Sequence, residues 1–150
     1  HPQHRRQRQM CIRDRKRGLP PFLINDPGLN SGLMILQYTS ASLVSANKQL
    51  AAPSSIDSIT SSNGQEDHVS MGANGANQLR DIINNLYEIF AIELITAIQA
   101  KEFNNHKSSD LIDEFISTIR KIHPKISSDR VFHNDINKVS KFLKKNRRVA

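Results

Sequence analysis

Apolar side chains recur at helical spacing through most of the chain. Ala76, Leu79, Ile83, Leu86, Phe90, Leu94 and Ala97 or Ile98 form one stripe, widened by Ile82, Ile89 and Ile95, and predict a helix from about residue 73 to 101. At 1.5 Å per residue this helix would be roughly 43 Å long. A domain of this size should have a radius of gyration of only about 14 Å, so the helix outruns any globule the chain could build alone. An earlier stretch, "SGLMILQYTSASLVSANKQLA", carries Lys48 as its only charge and predicts a helix capped by Asn30 or Ser31 and running to about Ala51. A helix with no charged face should be buried nearly all round. Its small residues, among them Gly32, Ser40, Ala41 and Ser45, would let neighbouring backbones approach.

Two shorter amphipathic helices follow. Ser108 or Ser109 can cap "DLIDEFISTIRKI", which Pro124 stops. Asn134 can cap a last helix with Ile136, Val139, Phe142 and Leu143 on one face and "KKNRR" at the C-terminal end, where positive charge suits the helix dipole. No segment alternates as a strand does, so the fold class is all-α.

Between the two long helices, residues 52–71 have no period and are rich in Ser, Asn, Gly and Pro. Irregular segments of this length inside a compact domain are usually functional or disordered. Before the first helix, Pro20, Pro21, Pro27 and Gly28 make "GLPPFLINDPGLN" a turn-rich connector.

The formal charge of +7 suggests a basic partner surface until its location is counted. Residues 1–18 hold seven of the 21 Lys and Arg and one of the 14 acids, and the rest is nearly neutral. Nucleic-acid binding, which needs basic residues gathered on a folded face, is therefore disfavoured. Residues 1–18 lack apolar spacing and read as a disordered, non-native leader preceding a folded part at 19–150, with a genuine basic arm as the alternative. Glu88 and Glu93 interrupt the most apolar run, so no membrane span is expected. The one cysteine, Cys11, lies in the leader. The folded part then has neither a disulfide scaffold nor a thiolate metal site, and a cytoplasmic setting fits.

The irregular segment carries the densest chemistry: Gln65, Glu66, Asp67 and His68 stand together. They have two readings of about equal weight, a functional site or a cap in which Asp67 or Ser70 starts the long helix and Glu66 sits at its positive end. One histidine beside two adjacent acids is a poor metal ligand set. His106, His123 and His133 fall near polar loops or helix ends and read as surface residues. Glu93 reads as an acid at the core edge with a partner. No serine stands in a nucleophile-elbow pattern.

Taken together, "LPPFL", "PGLNSGLMILQYTSASLVSANKQL", "PSSIDSI", "GQEDHVSMG" and "FAIELITAIQA" resemble, in order and spacing, the histidine ammonia-lyases of the aromatic amino acid lyase family. The resemblance runs from about Leu19 onward, strongest to about Ala100, and corresponds to the C-terminal portion of a lyase. It implies an all-α homotetramer built on a central bundle of long helices, with elimination of ammonia from L-histidine to give urocanate. It also implies a methylidene-imidazolone (MIO) cofactor formed from an Ala-Ser-Gly triplet, with no metal. This chain contains no such triplet, and the family's catalytic tyrosine loops lie upstream of the matching region, so the 150 residues alone are expected to be inactive.

By resemblance, Glu66 is the catalytic and substrate-binding residue, facing the imidazole or departing amine of histidine, and Gln65 is a neighbouring substrate-binding residue near the cofactor. Phenylalanine and tyrosine lyases usually carry Gln at the Glu66 position, so the carboxylate favours histidine. Asp67 and His68 would hold the loop and cap the helix. Gly64 stands where many members have Asn, Thr60 where many have Pro, and "SSNG" replaces "TSAN", which leaves the loop before Glu66 freer. The competing functions are a tyrosine or phenylalanine ammonia-lyase and a non-catalytic helical assembly module.

Overall fold

A computed structural model describes residues 18–104 and 106–146. The expected leader falls almost wholly outside them. Four α-helices follow in chain order among the described residues: α1, Met34–Leu50; α2, Gly72–Lys101; α3, Asp110–Arg120; and α4, His133–Lys145. The described residues contain no strand, only isolated bridges at Pro27 with Asn30 and Ser61 with Glu66, and the class is all-α. The described residues divide into two compact units, one made of those up to Ala41 with those from Tyr87 onward, the other of Ser42–Leu86.

The first unit holds the hydrophobic core. Ala91, Ile92, Ile95 and Ile98 of α2 are buried, as are Ile119 of α3, Ile136, Val139 and Leu143 of α4, and Leu23, Ile24, Leu33 and Leu36. Three of the four residues expected on the inner face of α4 are thus in this core. A polar side chain, Gln99, lies within it at 0% exposure. Its amide donates to the carbonyls of Leu23 (3.1 Å) and Ile126 (2.9 Å), and its oxygen accepts from the Ile126 N–H at 3.2 Å. A buried amide survives in a core only when its donors and acceptors are met, and here it meets them by tying two loops to α2.

The start of α1 corrects the expected cap. The helix begins at Met34, and the N–H groups of Ser31 and Gly32 ahead of it both donate to the carboxylate of Asp129, at 2.8 Å each. Asn30 is drawn into the same junction, its side-chain oxygen accepting from the Asp129 N–H at 3.3 Å. Gly32 has φ +52, and a Cβ there would stand 2.6 Å from the Phe22 oxygen and 2.8 Å from Ile24 Cγ2. Only glycine fits this crossing of backbones.

Nor is α1 buried all round. Leu36 and Ser40 are its buried residues, while Ile35 is 54% and Tyr38 67% exposed, because no other part of the described chain covers that side. Two further corrections concern the loops. Helix α4 starts at His133 after Phe132, placing Asn134 inside the first turn, and His123 is fully buried. His106 and His133 are exposed, as expected.

His123 lies in a charged cluster. Its Nδ1 is 3.6 Å from Asp135, whose carboxylate is held by Arg130 at 2.9 Å. Neither ring nitrogen has a hydrogen-bond partner among the described residues. Burial, above all, pushes the imidazole down from 6.5 to about 4; Asp135 pulls the other way, and Arg120 and Arg130 add to the depression. Beside it Glu102 binds Arg120 (2.8 Å) and Lys125 (3.0 Å). Burial opposes ionisation of Glu102, but the Lys125 hydrogen bond and the Arg120 charge outweigh it and hold the carboxyl below its usual range.

The second unit, Ser42–Leu86, buries no side chain fully. Polar bonds give it order: Asn85 donates to Asn47 and Ser54 to Gln78, each at 2.8 Å, and the Val69 N–H donates to Ser58 Oγ at 2.9 Å.

Candidate functional site

The loop that carries Gln65 and Glu66 closes on itself. Ser61 is extended, and the next three residues all take left-handed backbone angles, with φ of +54 at Ser62, +59 at Asn63 and +88 at Gly64. The chain thereby reverses within six residues. The Ser61 N–H donates to the Glu66 carbonyl at 2.9 Å, the Glu66 N–H returns to the Ser61 carbonyl at 3.4 Å, and Gly64 N–H also donates to Ser61 at 3.0 Å. Asn and Gly are the residues that adopt this conformation most readily, so "NG" is the local cause of the turn. Ser62 adopts it against its own preference.

The Gln65 and Glu66 side chains leave this turn exposed. Neither forms a side-chain hydrogen bond among the described residues. An exposed carboxylate beside an exposed amide can accept a hydrogen bond from a cationic or N–H-bearing ligand while the amide donates or accepts alongside. Against the freer loop expected from Gly64, two hydrogen bonds to Ser61 hold the Glu66 backbone, while its carboxylate has no partner among the described residues.

Of their neighbours, Ser70 takes a structural place, while Asp67 and His68 are exposed. Ser70 Oγ accepts from the Gly72 N–H at 3.3 Å at the start of α2, so of the two capping candidates Ser70 serves and Asp67 does not. His68 and Asp57 line one cavity of about 350 Å³ with Ser54 and Ser70, and Asp57 also lines an adjoining one of about 400 Å³ with Met71 and Gln78. Gln65 and Glu66 line neither. Glu93 is half-buried on α2 and has an interaction partner. Among the described residues no three His, Cys, Asp or Glu side chains gather closely enough to hold a metal ion, and no helix is long and apolar enough to cross a membrane.

Gln65 and Glu66 stand out in the sequence as site candidates, whereas Asp129, Gln99 and the His123–Asp135 pair do not. Asp129 and Gln99 act on backbone groups 97 and 76 residues away, a relationship that no local pattern encodes.

A family model described as aromatic amino acid lyase matches residues 3–121. The chain belongs to the aromatic amino acid lyase family. Within that family it is 48% identical over 127 residues to the histidine ammonia-lyase of Treponema denticola, an alignment covering 84% of this chain and 25% of that protein. The solved histidine ammonia-lyase of Trypanosoma cruzi superposes with a TM-score of 0.88 at 37% identity, over 95% of this chain and 28% of that one. The tyrosine aminomutase of Streptomyces globisporus gives a TM-score of 0.87 at 31% identity, over 97% of this chain and 28% of its own. The chain thus spans about a quarter of the length of the curated lyases it matches.

Proposed function

We propose that this chain is the Glu66-bearing segment of a histidine ammonia-lyase that eliminates ammonia from L-histidine to give urocanate. The observation that carries this reading is the pairing of 48% identity to a histidine ammonia-lyase with an exposed, unengaged Glu66 carboxylate on a rigid turn. In this role Glu66 accepts a hydrogen bond from the substrate's imidazole or ammonium and holds the reacting carbons in place. Binding energy at such a remote group is converted into orientation at the bond that breaks. Gln65 supplies the neighbouring polar contact.

The MIO group would supply the electrophile that turns the amine into a competent leaving group. This chain has no Ala-Ser-Gly triplet to form it, so the precursor would have to lie outside these 150 residues. The exposed amide and carboxylate of the turn fit a role facing such a group, and no metal is invoked.

A homotetramer in the cytoplasm completes the reading. Ser42–Leu86 buries no side chain fully, and Ile35, Tyr38, Leu79 and Ile83 are from 43% to 67% exposed. Apolar helix faces of this kind are covered by further protein in a stable assembly. Residues 19–150 are assigned to the lyase, and the family match begins inside the expected leader, at residue 3.

The test is the ultraviolet absorbance of urocanate formed from histidine by the complete lyase carrying this segment. Preferential turnover of tyrosine would instead support a second reading, tyrosine as substrate, which the likeness to the tyrosine aminomutase favours.

A further inference from the structure

We propose that Gly64 is the positioning residue that makes Glu66 selective for a substrate bearing a ring N–H. This inference rests on the reading of Glu66 given above and extends it to a residue that makes no side-chain contact of its own.

Three successive residues with positive φ are costly, since each non-glycine member pays for the left-handed region, and Ser62 and Asn63 are such members. Strained backbone of this kind persists where the surroundings over-determine it and clusters at functional sites. Here the turn does one identifiable thing: it brings the Glu66 N–H and carbonyl onto Ser61, so that the Glu66 Cα is fixed between two backbone hydrogen bonds. With the backbone fixed, the carboxylate samples only its own rotamers. A hydrogen bond to an imidazole N–H needs donor and acceptor within a few tenths of an ångström of 2.8 Å, which a loose loop would not provide.

Gly64 is the residue on which the turn depends most. Its φ of +88 is the largest of the three, and no atom lies within 4 Å of where a Cβ would stand. A side chain there meets no clash, so substitution acts through backbone preference alone. Asn, which tolerates the left-handed region, should preserve the turn; a β-branched residue should open it.

The experiment uses the complete lyase carrying this segment. Gly64→Val is expected to lower kcat/KM for histidine at least about tenfold, and Gly64→Asn to stay within about threefold of the parent. Should Gly64→Val fail to assemble, Gly64→Ala takes its place with a loss of several-fold. The decisive arm is the double variant. In a Glu66→Gln background Gly64→Val should cost less than about twofold more, because its effect runs through the carboxylate already removed. Parent-like activity of Gly64→Val overturns the inference. So does an undiminished loss in the Glu66→Gln background, which would mean that the turn supports the fold and not Glu66. If Glu66→Gln alone leaves histidine turnover unchanged, the reading of Glu66 itself fails, and the inference with it; if Glu66→Gln is damaging and Gly64→Val is harmless, only the inference fails.

Discussion

The carboxylate of Asp129 accepts from the backbone N–H of Gly32 at 2.8 Å, and its second oxygen takes the Ser31 N–H at the same distance. A side chain from the loop between α3 and α4 therefore anchors the turn that leads into α1. Removing it leaves two donors without their charged acceptor. Asp129→Ala should destabilise the protein by about 1–3 kcal/mol, and Asp129→Asn by less, since one amide oxygen can still accept. Thermal unfolding of the three proteins checks the order.

Gly32 makes a sharper prediction at the same junction. Gly32→Ala places a methyl 2.6 Å from a carbonyl oxygen at φ +52, so clash and backbone strain add. The expected loss is about 2 kcal/mol or more. Gly28→Ala, at φ +109 with nothing within 4 Å, carries strain alone and should lose less in a denaturant melt.

Gln99 serves three backbone groups from inside the core. Gln99→Met keeps the length and removes the hydrogen bonds, stranding one buried N–H and two carbonyls. Each stranded group costs about 1–3 kcal/mol before relaxation, so a fall of several kcal/mol in unfolding free energy is expected. Faster amide exchange at Ile126 should accompany it.

His123 gives the protein a defined acid sensitivity. Its native pKa lies near 4 against an ordinary 6.5, so between these values the unfolded chain binds a proton that the native state refuses. Stability therefore rises with pH through this window and is lost as pH falls from about 6.5 toward 4, by up to about 3 kcal/mol. A His123→Asn variant should show a shallower decline over the same interval than the parent in parallel melts. Equal slopes would assign the acid sensitivity to other groups.

How much of this was legible in the sequence depends on the range of the interactions involved. Helix α2 was legible to within one residue, because Leu79, Ile83, Leu86, Phe90 and Leu94 repeat a local period. The start of α1 was not, because the turn leading into it is held by Asp129, 97 residues beyond Gly32. His123 looked like a surface residue because polarity near a proline turn usually means solvent, and only packing against the core shows otherwise. The site loop was legible in part. Asn63–Gly64 signals a left-handed turn, whereas Ser62 at +54 carries no such signal and follows from closure of Ser61 onto Glu66. The role proposed for Glu66 comes from resemblance, since an exposed acid at that spacing has no local signature of its own.

In the proposed function, the Glu66 carboxylate recognises histidine. The most direct measurement is the kcat/KM ratio of histidine to tyrosine for the complete lyase, with Glu66 and with Glu66→Gln. A hydrogen-bonded charge pair lost from a substrate site should lower the histidine value at least about tenfold and move the ratio toward tyrosine. An unchanged ratio would contradict the assignment of Glu66.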